Sequence, residues 1–163
     1  VLDNAILGLE LAGVRRSRAR DRALEVVEAF GLKGFERSYP SLLSGGMRQR
    51  AAFLRTVLAD QEVILLDEPF GALDALTRAS MQEWLLRLWE SWGKTVVLVT
   101  HDVEEALLLS DRLYVLTARP GRVRMELPVE LPRPRRYEMV TTETFVRMKA
   151  RVVGVLREES NRT

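Results

Sequence analysis

The sequence of 163 residues contains no cysteine and no long apolar run. Without cysteine, disulfides and thiolate metal sites are excluded, and a reducing compartment is permitted. No apolar run approaches the roughly 18 residues that a membrane-spanning helix needs. The net charge of +2 is too small to argue for binding to nucleic acid. What remains is the composition of one globular domain with a sizeable core.

Three short apolar runs alternate with helical patterns along the chain. The runs cover residues 63–66, 95–99 and 113–116, and they are rich in leucine and β-branched residues. Such runs are typical of strands that are buried on both faces, as in a parallel sheet. The alternation of strands with helices predicts an α/β fold.

The helical patterns predict six helices, at residues 3–11, 17–30, 45–58, 74–92, 103–109 and 142–158. We expect Asp3 to cap the first helix. We also expect Leu24, Val27, Ala29 and Phe30 to lie on the buried face of the second helix. Trp84 and Trp89 are expected to pack in the core.

The segment that follows the third apolar run is rich in proline and arginine. Residues 123–127 predict an edge strand, and three prolines then break regular structure, at positions 128, 132 and 134. Arginines lie between and after these prolines, at positions 133, 135 and 136. This pattern predicts a solvated connector, with contact to a membrane surface or a partner as the alternative.

Two carboxylates, Asp67 and Glu68, follow directly after the apolar run 63–66. Ligands of open α/β sheets bind at the carboxyl ends of the strands, so we expect Asp67 to be held rigidly there and to face the crevice. One carboxylate can hold Mg²⁺ on a nucleotide, and the next can act as a general base on water. The alternative interpretation is an acidic helix cap after a buried strand.

The residues Ser44-Gly45-Gly46 precede a helical pattern. Glycine allows close approach of a ligand to the backbone, and a helix N-terminus offers unsatisfied N–H donors and the positive end of the helix dipole. The three residues therefore predict half of a phosphate site. On their own they are equally compatible with a capped helix that has a flexible entry.

His101 is the only histidine, and it follows the run 95–99. It is therefore expected at the carboxyl end of a strand, where imidazole can hydrogen-bond a phosphate oxygen. Residues 93–95 (GKT) look like the end of a phosphate loop, but Leu88 stands where that loop requires glycine. Since Thr95 also begins a strand rather than a helix, we interpret this segment as a turn.

Four motifs together resemble those of the ATPase subunits of ABC transporters. Residues 43–50 (LSGGMRQR) are similar to the signature motif, and residues 64–69 (ILLDEP) are similar to the Walker B strand. Residues 71–74 (GALD) resemble the D-loop, and residues 100–102 (THD) resemble the switch-histidine loop. The resemblance covers essentially the whole chain. Three further segments resemble the nitrate/sulfonate/taurine importer branch, at 81–84, 119–122 and 131–134.

The resemblance implies an ABC-type P-loop NTPase core, α/β in class, with a mostly parallel sheet flanked by helices. It divides the chain into a helical signature subdomain at 1–60, an α/β core at 61–127 and a C-terminal extension at 128–163. The family's Walker A loop and Q-loop glutamine would precede residue 1. The polypeptide 1–163 is therefore expected to be N-terminally truncated and to show no ATPase activity alone.

The resemblance also implies a role for individual residues. Asp67 would hold Mg²⁺, Glu68 would act as the general base, and His101 would contact the γ-phosphate of ATP. Asp74 would couple the two sites across a dimer. The signature residues would bind ATP held by the partner subunit; they are Leu43, Ser44, Gly45, Gly46 and Met47.

The implied protein is the ATPase subunit of an importer of a small anionic solute such as nitrate, a sulfonate or taurine. Its partners would be a second ATPase subunit, two integral-membrane permease subunits and, indirectly, an extracytoplasmic solute-binding protein, with no nucleic acid. It would lie peripherally on the cytoplasmic face of the membrane. Two alternatives remain: a soluble ABC ATPase of DNA maintenance or translation, and a non-enzymatic chain that offers only its signature motif in trans.

Overall fold

The computed structural model describes residues 1–161, without the side chains of residues 91 and 92. Within these residues the chain divides into two compact units. The first unit comprises residues 1–78 and 94–97, and the second comprises residues 79–93 and those from 98 onward. The helices and strands, in chain order, are α1 Leu2–Ala5, α2 Leu7–Leu11, α3 Arg16–Val26, α4 Gly45–Leu58, β1 Val63–Asp67, α5 Ala75–Trp92, β2 Thr95–Val99, α6 Val103–Leu109, β3 Arg112–Leu116, β4 Val123–Pro128 and α7 Glu143–Ser160.

The first predicted helix is present as two short helices, α1 and α2, which meet at Ile6. The prediction of Asp3 as its cap is wrong, because α1 begins at Leu2, whose side chain is buried. Asp3 lies in the first turn instead, and its carboxylate pairs with Arg16 at 2.7 Å. An acidic residue in a first turn still complements the helix dipole.

The buried face of α3 is formed by small residues, which corrects the sequence prediction. Val27 and Phe30 are buried as predicted, but Leu24 and Ala29 are exposed, and Ala19 and Ala23 are fully buried instead. Alanine on the inward face lets the helix approach α1 and α4 closely, so the longer leucine points to solvent. The helical segment ends at Val26, and Gly31 (φ 65°) then takes the left-handed conformation that glycine adopts without strain.

The described strands form two separate two-stranded sheets rather than one mostly parallel sheet. Strand β1 pairs with β2, and β3 pairs with β4 in an antiparallel ladder. The backbone N–H of Thr95 donates to the carbonyl of Glu62 at 3.1 Å, so β1 and β2 begin side by side, as parallel strands do. Burial on both faces was also a wrong prediction, because Leu65 of β1 is 73% exposed.

The second unit is built around the apolar faces of α5, α6 and α7. Trp84 is buried as predicted, and Trp89 is half-buried. Helix α6 spans the predicted residues 103–109, and α7 begins after Thr142, whose hydroxyl accepts a hydrogen bond from the N–H of Phe145. None of the helices in residues 1–161 combines the length and the apolar character needed to span a bilayer.

The proline- and arginine-rich segment is not a solvated connector at Arg135, whose side chain is 1% exposed. Its guanidinium donates to the carbonyl oxygens of Leu108 (3.3 Å) and Ser110 (2.7 Å) and to the carboxylate of Asp111 (3.0 Å). Burial lowers the pKa of Arg135, and the Asp111 charge partly offsets this shift. The backbone of Val129 is also tied to Asp111, by an N–H···O bond of 2.9 Å. This segment is therefore fixed to the chain around α6.

We expect Arg135→Met to lower the free energy of unfolding by about 3 kcal/mol, because it leaves the buried carbonyl of Leu108 and the partly buried carbonyl of Ser110 without their charged donor. The neighbouring Arg136 is exposed, so Arg136→Met is the matched control and is expected to change stability by no more than about 0.5 kcal/mol. Urea unfolding followed by circular dichroism measures both. Equal stability of the two variants would contradict the assignment of Arg135 as a structural anchor.

Candidate functional site

Strand β1 delivers Asp67 and Glu68 to its carboxyl end, as predicted from the sequence. The side chains of Ile64 and Leu66 are buried, and because strand residues alternate between faces, Asp67 points to the other side. Asp67 and Glu68 are both exposed. The expectation that burial holds Asp67 rigidly is therefore wrong.

The backbone at Glu68 adopts the left-handed conformation, with φ at 44°. This conformation is costly for a residue with a side chain, and it persists only where the surroundings impose it. The surroundings here are a tight turn, in which the N–H of Gly71 donates to the carbonyl of Glu68 at 3.2 Å. Phe70 is fully buried after it and packs against Phe53 of α4 with ring centroids 6.0 Å apart. The turn is thus anchored to α4 through an aromatic contact.

The N-terminus of α4 is a capped helix start with free donors. Ser44 is the N-cap, and its Oγ accepts a hydrogen bond from the N–H of Met47 at 3.2 Å. The hydroxyl hydrogen of Ser44 remains available as a donor. The first N–H groups of a helix, here those of Gly45 and Gly46, have no acceptor within the helix. Buried Leu43 fixes the segment that leads into α4, since its carbonyl accepts a hydrogen bond from the Arg48 guanidinium at 2.6 Å.

The loop after β1 lies beside this helix start within the first unit. A Cβ added at Gly45 would stand 3.5 Å from Cδ2 of Leu73, which is ordinary van der Waals contact. Residues 43–47 and the loop 71–74 are therefore neighbours. Sequence reasoning placed Leu73 in the segment 71–74 but did not predict its contact with Gly45, because a single leucine in a loop carries no signal of a contact with a residue 28 positions earlier.

Gly45 is not required by the fold. It lies in the first turn of a helix, its φ is not left-handed, and its added Cβ would meet no tight contact. We therefore expect Gly45→Ala to leave the free energy of unfolding unchanged or to raise it by up to about 1 kcal/mol, since alanine favours helix. Thermal unfolding of the purified protein measures this. A clear loss of stability would show that glycine serves the fold at this position.

Asp74 closes the loop by capping α5. Its Oδ1 accepts the N–H of Thr77 at 3.0 Å, and hydrogen bonds from Thr77 lower the pKa of the Asp74 carboxyl. The group is therefore charged at neutral pH, and this contribution to stability is lost only as the pH falls below the ordinary aspartate range. The guanidinium of Arg78 also holds the loop, because it donates to the carbonyl of Leu73 at 3.1 Å.

His101 lies in the second unit, two residues after the end of β2, and its side chain is exposed. The residue after it, Asp102, caps α6: its Oδ1 accepts from the N–H groups of Glu104 (2.9 Å) and Glu105 (3.1 Å). Residues 93 and 94 connect α5 to β2, and Thr95 begins the strand, as interpreted from the sequence. The Lys94 ammonium binds the carboxylate of Asp60 at 2.9 Å.

The first unit thus contains every predicted site residue except His101. Exposed carboxylates such as Asp67 and Glu68 fit Mg²⁺, which takes oxygen ligands and completes its shell with water and phosphate oxygens. Within residues 1–161 there is no group of three or more acidic, histidine or cysteine side chains that could hold a metal ion. A bound Mg²⁺ would therefore depend on oxygen ligands from a nucleotide and from water.

Solved structures show which class this fold belongs to. An ATP-binding cassette solved as a dimer in a post-hydrolysis state with ADP and Pi is 33% identical, with a TM-score of 0.62 over 80% of the chain and 57% of that structure. The fold is therefore that of an ABC ATPase cassette, α/β in class.

Sequence comparison identifies the family. A model described as ABC transporter matches residues 2–71. The formylaminopyrimidine import ATP-binding protein of Halalkalibacterium halodurans is 46% identical over 99% of the chain and 66% of its own length. The taurine import ATP-binding protein of Shigella boydii is 47% identical over 82% of the chain and 52% of its own length. The chain belongs to the ABC transporter ATP-binding family, and it spans between about half and two thirds of these relatives.

Proposed function

We propose that the protein containing this chain is the ATP-hydrolysing subunit of an ABC importer. The observation that carries this proposal is the position of the Ser44–Gly46 helix start against Leu73, in the loop that follows Asp67 and Glu68. Phosphate donors and carboxylates thereby belong to one anchored part of the first unit. Gly45, a glycine that the fold does not require, is explained by a ligand that approaches the backbone closely.

In this proposal, the residues 43–47 bind the γ-phosphate of ATP that is held by a second copy of the subunit. The N–H groups of Gly45 and Gly46 and the Ser44 hydroxyl donate to phosphate oxygens. Asp67 holds Mg²⁺, which neutralises phosphate charge when it is bound. Glu68 accepts a proton from the attacking water.

Two further residues have roles in the proposed function. His101 donates a hydrogen bond to the γ-phosphate, and its exposure after β2 leaves the imidazole accessible. Asp74, fixed as the cap of α5, passes the state of one site to the other across the dimer. The subdivision into residues 1–60, 61–127 and 128–163 belongs to the same proposal.

The proposed partners are a second ATPase subunit, two integral-membrane permease subunits and an extracytoplasmic solute-binding protein. The subunit would lie on the cytoplasmic face of the membrane. The names of the two relatives identify them as import proteins for formylaminopyrimidine and for taurine. We propose a small anionic solute such as nitrate, a sulfonate or taurine, with formylaminopyrimidine as the competing candidate.

The test is ATP hydrolysis by the full-length subunit, alone and with its permeases in proteoliposomes. Hydrolysis that rises when the solute-binding protein carries taurine, a sulfonate or nitrate supports the proposal, and formylaminopyrimidine as the effective solute would change the substrate class. Equal hydrolysis with and without permeases would indicate a soluble ABC ATPase. Complete absence of hydrolysis would indicate a chain that contributes only its signature motif.

A further inference from the structure

His101 lies immediately before Asp102, the N-cap residue of helix α6. Thr100 Oγ1 accepts the N–H of Asp102 at 3.0 Å, and Asp102 in turn caps the first turn of α6. His101 therefore lies between two residues, Thr100 and Asp102, that are hydrogen-bonded to each other, and Asp102 is also hydrogen-bonded to the first turn of α6. A helix of seven residues is too short to be stable by itself, so its position is set by what packs against it.

One contact on α6 comes from the C-terminal helix α7. The ammonium of Lys149 binds the Glu104 carboxylate in the first turn of α6, and this hydrogen bond raises the pKa of Lys149. The two side chains are 42% and 40% exposed. Ion pairs with that exposure contribute little to overall stability, so removing the pair should not unfold the protein.

The opposite end of α6 is held by Arg135, which lies before α7. Its buried guanidinium donates to the carbonyl oxygens of Leu108 and Ser110, at the C-terminus of the helix. A cation at this end satisfies carbonyl groups that have no partner inside the helix and complements the dipole. Both ends of α6 are therefore held by residues of one segment, 129–160, which lies in the same unit as α6.

We propose that Lys149 and Arg135 are positioning residues, which hold the two ends of α6 and thereby fix His101 against the γ-phosphate. This inference rests on the proposed function, since it takes His101 as the phosphate contact. It assigns the C-terminal segment a role in the hydrolysis step. Side chains of α5 add a third contact, because the Gln82 amide donates to the buried Glu105 carboxylate at 3.2 Å.

The experiment uses Lys149→Met in the full-length subunit, since Arg135 is a stability anchor. We expect kcat for ATP hydrolysis to fall about tenfold, with KM for ATP and the melting temperature nearly unchanged, because a small misplacement of a reacting group costs this much or more. Glu104→Gln should have a similar effect, and the double variant should be no worse than either single variant. Lys149→Arg should restore most of the rate. Arg147→Met, at an exposed position on the same helix, is the matched control and should retain it.

The second readout is the imidazole resonance of His101 in NMR spectra, assigned by its loss in His101→Ala. Lys149→Met should shift or broaden it, whereas Arg147→Met should not. An unmoved resonance, or a moved resonance with unchanged kcat in an active enzyme, would overturn the inference. Failure of the proposed function looks different: the wild-type protein would not hydrolyse ATP, or His101→Ala would hydrolyse it normally, whatever Lys149 does.

Discussion

Replacing Glu68 with glutamine is expected to slow ATP hydrolysis by the full-length subunit about 10²–10⁴-fold, because the amide cannot accept the proton of the attacking water. Glutamine keeps the shape of the side chain, and it leaves the backbone turn from Glu68 to Gly71 unchanged. ATP should therefore still bind, and ATP-bound dimers should accumulate. Phosphate release in a single turnover measures the rate, and size-exclusion chromatography with ATP measures the dimer.

The matched control is Glu62→Gln. Glu62 is an exposed residue just before β1, and its backbone carbonyl accepts a hydrogen bond from the N–H of Thr95. This variant should hydrolyse ATP at nearly the wild-type rate. If Glu68→Gln also retained near-normal hydrolysis, the base would have to be another residue.

The substitution Gly46→Glu is expected to abolish ATP-driven dimerisation while leaving ATP binding to the separated subunit almost intact. The substitution brings bulk and negative charge to a helix start that is proposed to bind phosphate of the partner's ATP. Loss of a preorganised donor to developing phosphate charge costs about 3–4 kcal/mol in comparable sites. Analytical ultracentrifugation with and without ATP measures the dimer, and titration with a fluorescent ATP analogue measures binding.

A mixed dimer gives the sharper result. One Gly46→Glu subunit should stop ATP hydrolysis at the site whose phosphate loop belongs to its wild-type partner. The other site should remain intact. Gly154→Glu is the control, because a Cβ at Gly154 in α7 would meet nothing within 4 Å. Silencing only of the site built on the mutant's own phosphate loop would show that the signature residues act in cis.

Local signals in the sequence were sufficient for most of the elements. Helix α4 was predicted because Ser44 caps it and an apolar pattern follows, and α6 was predicted from a short helical pattern between two strands. The carboxylates after β1 were located because the strand is apolar up to Leu66 and polar from Asp67 onward. Each of these features is decided by residues that are adjacent in the chain.

Features that depend on distant partners were missed. The burial of Arg135 requires carbonyl oxygens from residues 25 and 27 positions earlier, and no local pattern announces them. The inward face of α3 was assigned to Leu24, although close helix packing selects Ala23. Whether a face of β1 is buried depends on the strands and helices that pack against it, which the sequence of β1 does not reveal. The apolar sequence therefore predicted a buried Leu65, although this residue is exposed.

The left-handed backbone conformation at Glu68 lowers the stability of the protein, so selection for heat resistance acts against glutamate at this position. Asparagine and glycine adopt this conformation more readily than glutamate, so either one would relieve about 1 kcal/mol of backbone strain. A library screened only for survival at high temperature would therefore enrich Glu68→Asn and Glu68→Gly, which lack the proposed base. Engineering of this protein needs an activity screen at each round, because this strained backbone position coincides with its proposed proton acceptor.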